Sequence, residues 1–233
     1  MTSKSAGSPA PARGQVWSSD RVFPDGELAD FLIISCDDWN RRRVTTLLGL
    51  EVSAGHGEKA RFTSLITADG EPMTVYGDQV LPIPRAGLVD RGIELDARAM
   101  ADVDEVLDMA LGNLRAPRTA VPRPAGHPYR SHLRFADLHI PGEKDKPVVV
   151  VSSEMYGVAV GFSLVLACRV TSNPSDPHTF DVVLSSQVGK VVCSDLRTIS
   201  VDDLRERTTK AQAVNATERE AIMTTVRRIV GLG

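Results

Sequence analysis

The residues of this 233-residue chain best placed to do chemistry stand at the ends of apolar strands, and they come in two sets. Phe31-Leu-Ile-Ile-Ser-Cys-Asp-Asp-Trp-Asn40 returns about 117 residues later as Val148-Val-Val-Val-Ser-Ser-Glu-Met-Tyr-Gly157. Thr74-Val-Tyr-Gly-Asp-Gln-Val-Leu-Pro-Ile83 returns as Lys190-Val-Val-Cys-Ser-Asp-Leu-Arg-Thr-Ile199. Metal and phosphate-loop chemistry have no motif here. His56, His127, His132, His139 and His178 lack ligand spacing, and there is neither a paired CxxC nor a P-loop. No serine sits in a nucleophile elbow. What remains are charged and hydroxyl side chains. Arg41-Arg-Arg43 reads either as a grip for phosphates or as a solvated basic run. Trp39 and Tyr156 read either as stacking platforms for bases or as plugs for a barrel end. His178 near Asp176 is a candidate acid–base group, and Arg197 reads as an ion-pair partner of Asp195.

The elements that position these residues follow from the pattern. A repeat this long is a globular unit rather than a solenoid turn. The chain length suits two domains of roughly 100 residues, each with its own core. In the first copy Gln15–Trp17, Phe31–Ser35, Val44–Val52, Ala60–Thr67 and Met73–Leu81 read as strands, and Asp96 caps an amphipathic helix. The second copy repeats the plan with Leu133–Leu138, Pro147–Ser152, Ser163–Thr171, Thr179–Ser185 and Lys190–Arg197. Asn215 then caps a helix, with Glu218 set for a capping box. The fold class is mainly β with C-terminal helices: two small half-open barrels. Residues 1–12 read as a disordered tail, 13–115 and 130–233 as the domains, and the proline-rich 116–129 as a semi-extended linker.

Charge separates the halves. Residues 1–116 hold 12 Lys/Arg against 18 Asp/Glu, whereas residues 130–233 hold 13 against 12. A polyanion would therefore favour the second half. Cys36, Cys168 and Cys193 lie in apolar patterns, which suits buried thiols in a reducing cytoplasm. No apolar run is long enough to span a bilayer.

The strand ends resemble those of the PemK, Kid or MazF toxin family, in the CcdB/MazF superfamily. In that family an RP dipeptide opens the second strand, a threonine ends the next long strand, and a QIRT strand leads to the terminal helix. Lys146-Pro147, Thr171 and Leu196-Arg-Thr-Ile199 stand at those places. The first copy is similar too: Arg13-Gly-Gln-Val-Trp17 to RGDVY, Ser35-Cys-Asp-Asp-Trp-Asn-Arg41 to NDxxNR, and Asp78-Gln-Val80 to EQI. The resemblance implies an SH3-like barrel, usually homodimeric; here the two copies would form a pseudo-dimer within one chain.

It also implies a metal-independent, cofactor-free endoribonuclease that cleaves single-stranded RNA, the toxin of a toxin–antitoxin system. Attack of the RNA 2′-hydroxyl on the adjacent phosphate needs a cation and a polar partner for the phosphate oxygens. Those roles fall to Lys146 and Thr171; the matching first-copy positions are Ala29 and Ser53, so that copy has lost its cation. Lysine keeps the charge but not the bidentate fork of arginine. Substrate binding is expected from Asp37, Asn40, Arg41, Ser152, Ser153, Ser172 and Asn173, in a composite site drawn from both copies. The rival reading is a catalytically inactive module that engages an antitoxin peptide or a protein target such as gyrase.

Overall fold

The computed structural model describes residues 10–20, 22, 26–42, 44–55, 62–68, 70–112, 121–138, 145–172, 179–185, 189–206 and 213–232. The first half runs β1 (Gln15–Ser19), β2 (Ala29–Ile33), α1 (Asp37–Asn40), β3 (Thr46–Ala54), β4 (Thr63–Ala68), β5 (Glu71–Pro84), β6 (Val89–Glu94) and α2 (Ala97–Leu111). The second runs β7 (Leu133–Ala136), β8 (Lys146–Val150), α3 (Glu154–Ala159), β9 (Leu164–Thr171), β10 (Asp181–Leu184), β11 (Gly189–Ser200), β12 (Leu204–Arg205) and α4 (Ala216–Ile229). Each half forms a six-stranded antiparallel sheet, ordered β4-β5-β3-β2-β1-β6 and β10-β11-β9-β8-β7-β12. Read element for element, the two orders are the same.

The expected mainly β fold with one terminal helix per half is what the chain adopts. Both helix starts follow their caps. The Asp96 carboxylate accepts the Ala99 N–H at 2.8 Å, and Asn215 and Glu218 form a reciprocal capping box. Four elements escape a reading of the pattern. Strands β6 and β12 lie on sheet edges and carry little buried apolar surface, so period-2 alternation is missing. Helices α1 and α3 are a turn or so long and follow the buried strands directly, where the sequence reads as loop.

Each sheet has an interruption in its long strand, between partners Leu50/Glu51 in the first half and Val192/Leu196 in the second. The bulge re-aims the side chains beyond it. At the first bulge a Cβ on Gly77 would fall 2.2 Å from Val106 of α2, so only glycine lets helix and strand approach this closely.

The main core is continuous across both halves, joining Leu32, Val80, Leu107, Val149, Cys168 and Val226. The two halves pack against each other through matched pairs. Phe62 meets Tyr156 edge-on with ring centroids 5.1 Å apart; Phe180 meets Trp39 edge-on at the same separation. The Cys36 N–H donates to the Ile229 carbonyl at 2.6 Å, and the Ser153 N–H to the Ala110 carbonyl at 2.7 Å. Each terminal helix thus has a final carbonyl satisfied by the other half. Between β5 and β11, Thr198 Oγ1 accepts the Val80 N–H at 3.0 Å and donates to the Asp78 carbonyl at 2.7 Å.

Within residues 121–129, His127 is buried edge-on against Phe162, and the Arg123 guanidinium lies 3.8 Å from the Tyr129 ring centroid. Residues 1–9, 113–120 and the stretch from His139 to Lys144 lie outside the described residues.

Candidate functional site

Strands β8 and β9 pair in the register Val148↔Arg169, Val149↔Cys168 and Val150↔Ala167. Carrying that register two residues outward sets Lys146 opposite Thr171, side chains on one face. In the first half Asp30↔Val52 and Phe31↔Glu51 set Ala29 opposite Ser53 in the same way. The strand ends singled out in the sequence therefore lie on neighbouring strands in each half.

The face that carries Lys146 is the one turned from the main core. Its centre is a smaller apolar cluster that includes Ala136, Val148, Val150, Val165, Ala167 and Ile199. Register places Arg134, Lys146, Arg169, Lys190 and Arg197 on the same face. The matched positions in the first half hold Trp17, Ala29, Glu51, Thr74 and Leu81. One face has five cations and its counterpart has none.

Four of the five already have carboxylates. Arg134 pairs with Glu206 at 2.6 Å and Lys190 with Asp181 at 2.8 Å, while Arg169 and Arg197 share Asp195, each at 2.9 Å. The sequence reading of Arg197 as the ion-pair partner of Asp195 holds. Lys146 differs: among the described residues its side chain has no hydrogen-bond or ion-pair partner. Next to it Asp145 pairs with Arg205 at 3.4 Å.

On the first-half face the electrostatics run the other way. Burial, then the nearby Asp78 charge, pushes the Glu51 carboxyl above its ordinary range, and burial raises Asp78 too. The Ser53 and Tyr76 hydroxyls are hydrogen-bonded at 3.0 Å.

The expected substrate-binding residues separate into two groups. Ser172 follows Thr171 and is exposed, and Asn173 lies outside the described residues. Arg41 is exposed and pairs with Asp38 at 3.1 Å; Asp37 accepts the Arg13 N–H at 2.9 Å. Asn40 is buried with its amide spent on Ser35: it accepts from Ser35 Oγ at 2.6 Å and donates to the Ser35 carbonyl at 2.7 Å. It locks its own turn. Ser152 is buried under the Arg130 guanidinium, which donates to its carbonyl at 3.2 Å. Ser153 donates to the Met109 carbonyl at 2.5 Å and caps α3 by accepting the Tyr156 N–H at 3.0 Å. Asn40, Ser152 and Ser153 thus serve packing between and within the halves. Trp39 and Tyr156, buried in the matched aromatic pairs, do the same rather than present a stacking face. His178 and Arg43 lie outside the described residues.

Sequence reasoning missed the cationic row. Its signal is legible only after register is known, because its members come from four strands. Among the described residues no group of three or more His, Cys, Asp or Glu side chains is arranged to hold a metal ion, and no helix is long and apolar enough to cross a membrane.

Comparison with known proteins bears on the second half most directly. Residues 130–230 match the family of PemK-like, MazF-like toxins of type II toxin–antitoxin systems. Among solved structures, a MazE–MazF complex from Deinococcus radiodurans is 23% identical with a TM-score of 0.35, covering 46% of this chain and 98% of that one. A mycobacterial endoribonuclease in complex with its cognate antitoxin is 22% identical with a TM-score of 0.39, covering 46% of this chain and 97% of that one. A search of curated proteins finds no match. The residues that match this family, 130–230, are those that carry the cationic face and the Lys146 and Thr171 strand ends.

Proposed function

We propose that this chain is a toxin-type, metal-independent endoribonuclease with a single site, in which Lys146 and Thr171 act on single-stranded RNA. The observation that carries the reading is the β8–β9 register, which extended to the strand ends brings Lys146 toward Thr171, together with the lack of a partner for Lys146 among the described residues. In the reaction the ribose 2′-oxygen bonds to the adjacent phosphorus as the bond from phosphorus to the 5′-oxygen breaks. The 2′-hydroxyl loses its proton to solvent water and the departing 5′-oxygen gains one, leaving a cyclic phosphate and a 5′-hydroxyl. The Lys146 ammonium stabilises the phosphate oxygens and supplies the proton to the leaving oxygen; the Thr171 hydroxyl fixes a phosphate oxygen. Ser172, Asn173, Asp37 and Arg41 contact flanking nucleotides.

In this reading residues 13–115 are a degenerate copy, 116–129 the linker and 130–233 the retained domain. An antitoxin peptide is the natural second partner, since the solved relatives include toxins held by their antitoxins. The second reading, a non-catalytic module that binds such a peptide or a protein target such as gyrase, draws on Ala29 and on lysine where the family has arginine.

One experiment separates them. Purified protein is incubated with long single-stranded RNA in EDTA beside the Lys146→Ala variant. Cleavage by the parent that is lost in the variant supports the nuclease; a folded parent that leaves RNA intact supports the binding module.

A further inference from the structure

The contacts between the halves are matched in geometry but not in charge. Counting from the helix caps Asp96 and Asn215, Asp108 of α2 and Arg227 of α4 occupy the same position in their helices. They pair with each other across the interface. In a symmetric dimer a residue on the axis meets its own copy; here an aspartate meets an arginine.

Arg13 and Arg130 sit at matched places before the first strand of their halves. Arg13 donates to the Ile34 carbonyl of its own half at 3.1 Å and the Val230 carbonyl of the other at 3.0 Å, and pairs with Asp104. Arg130 donates to the Ser152 carbonyl at 3.2 Å and to Leu111 and Gly112 across the interface at 3.0 and 2.8 Å. Burial, followed by the charges of Arg219 and Arg227, lowers the Arg130 guanidinium to about 10. Arg13 and Arg130 balance one another, so the unmatched charge lies on the helices, Arg227 from the second half against Asp108 from the first.

We infer that this interface selects unlike halves: the second half takes the first as its partner and rejects another copy of itself. Pairing two second halves would face Arg227 with Arg227. Pairing two first halves would face Asp108 with Asp108 at helix C-termini, where the helix dipole is already negative. Like-charge juxtaposition of this kind acts as a penalty on the wrong partner, and the opposite charges steer the right one. The hydroxyl of Thr198 adds a second selection. Its matched position is Pro82, which has neither hydroxyl nor N–H, so two first halves would lose both hydrogen bonds that Thr198 makes. The inference does not depend on RNA cleavage.

The test uses the full chain with a protease site placed between residues 113 and 120 and cut after folding. Native mass spectrometry then reads the fragments over a dilution series. The expected result is one-to-one pairing of unlike fragments. Asp108→Arg should weaken the pair at least about tenfold, and Asp108→Arg with Arg227→Asp should restore most of that loss. Circular dichroism of the uncut variants keeps misfolding separate from weakened pairing. Abundant pairs of like second-half fragments would overturn the inference. So would an Asp108→Arg variant that folds and pairs as tightly as the parent, or a double reversal no tighter than the single change.

Discussion

At Lys146 the distinction between a point charge and a planar fork becomes measurable. An ammonium neutralises a phosphate oxygen, whereas a guanidinium at that strand end would bond two oxygens at once. Lys146→Arg is therefore expected to raise the RNA cleavage rate severalfold, and Lys146→Ala to lower it by about a hundredfold, the scale of a lost oxyanion donor. A gel-based rate assay in EDTA checks both. A second residue-scale prediction concerns Asp78, whose carboxyl is raised by burial and whose Oδ1 lacks a hydrogen-bond partner among the described residues. A raised carboxyl binds its proton more tightly folded than unfolded, so its contribution to stability falls as pH climbs through the folded value. Asp78→Asn should accordingly raise Tm at pH 7, with the gain vanishing near about pH 3, below both values. The backbone carbonyl that receives Thr198 and Tyr156 stays in place. Equal gains at the two pH values would contradict the cause given. Residues such as Asn40 show why site membership was only partly legible: an asparagine in a polar turn looks the same whether it faces solvent or bonds a buried serine.

Elements were more legible than sites. Where one face is buried and a cap is present, pattern and structure agree, as in α2 from Ala97 and α4 from Ala216. The Asn215–Glu218 box is the firmest of these signals. Asn215→Ala is expected to cost about 1 kcal/mol, and loss of the Ser185 contact to Glu218 would add to it if the glutamate moves. Urea unfolding of the variant measures the cost. Strand ends were less legible, by up to three residues, because burial fades there before hydrogen bonding does. The edge strand β6 was invisible for a related reason. Its residues, Val89 among them, are exposed and are held by backbone pairing with β1 rather than by side-chain burial.

For the whole molecule, the shared core outweighs the domain count. Because Leu32, Val80, Val149 and Val226 belong to one cluster, unfolding either half strips apolar surface from the other. The chain should unfold in one calorimetric transition, with van't Hoff and calorimetric enthalpies in agreement. Two resolved peaks would show that each half holds its core alone. The matched strand ends carry another consequence. In an assembly of two identical chains, any substitution appears twice, and a loss at one site is a loss at both. Here Ala29 and Lys146 occupy the same place in the fold but are written separately in the sequence. One can drift while the other is held, so a single molecule keeps a scaffold side and a charged side, and mutation can reshape the first without touching the second.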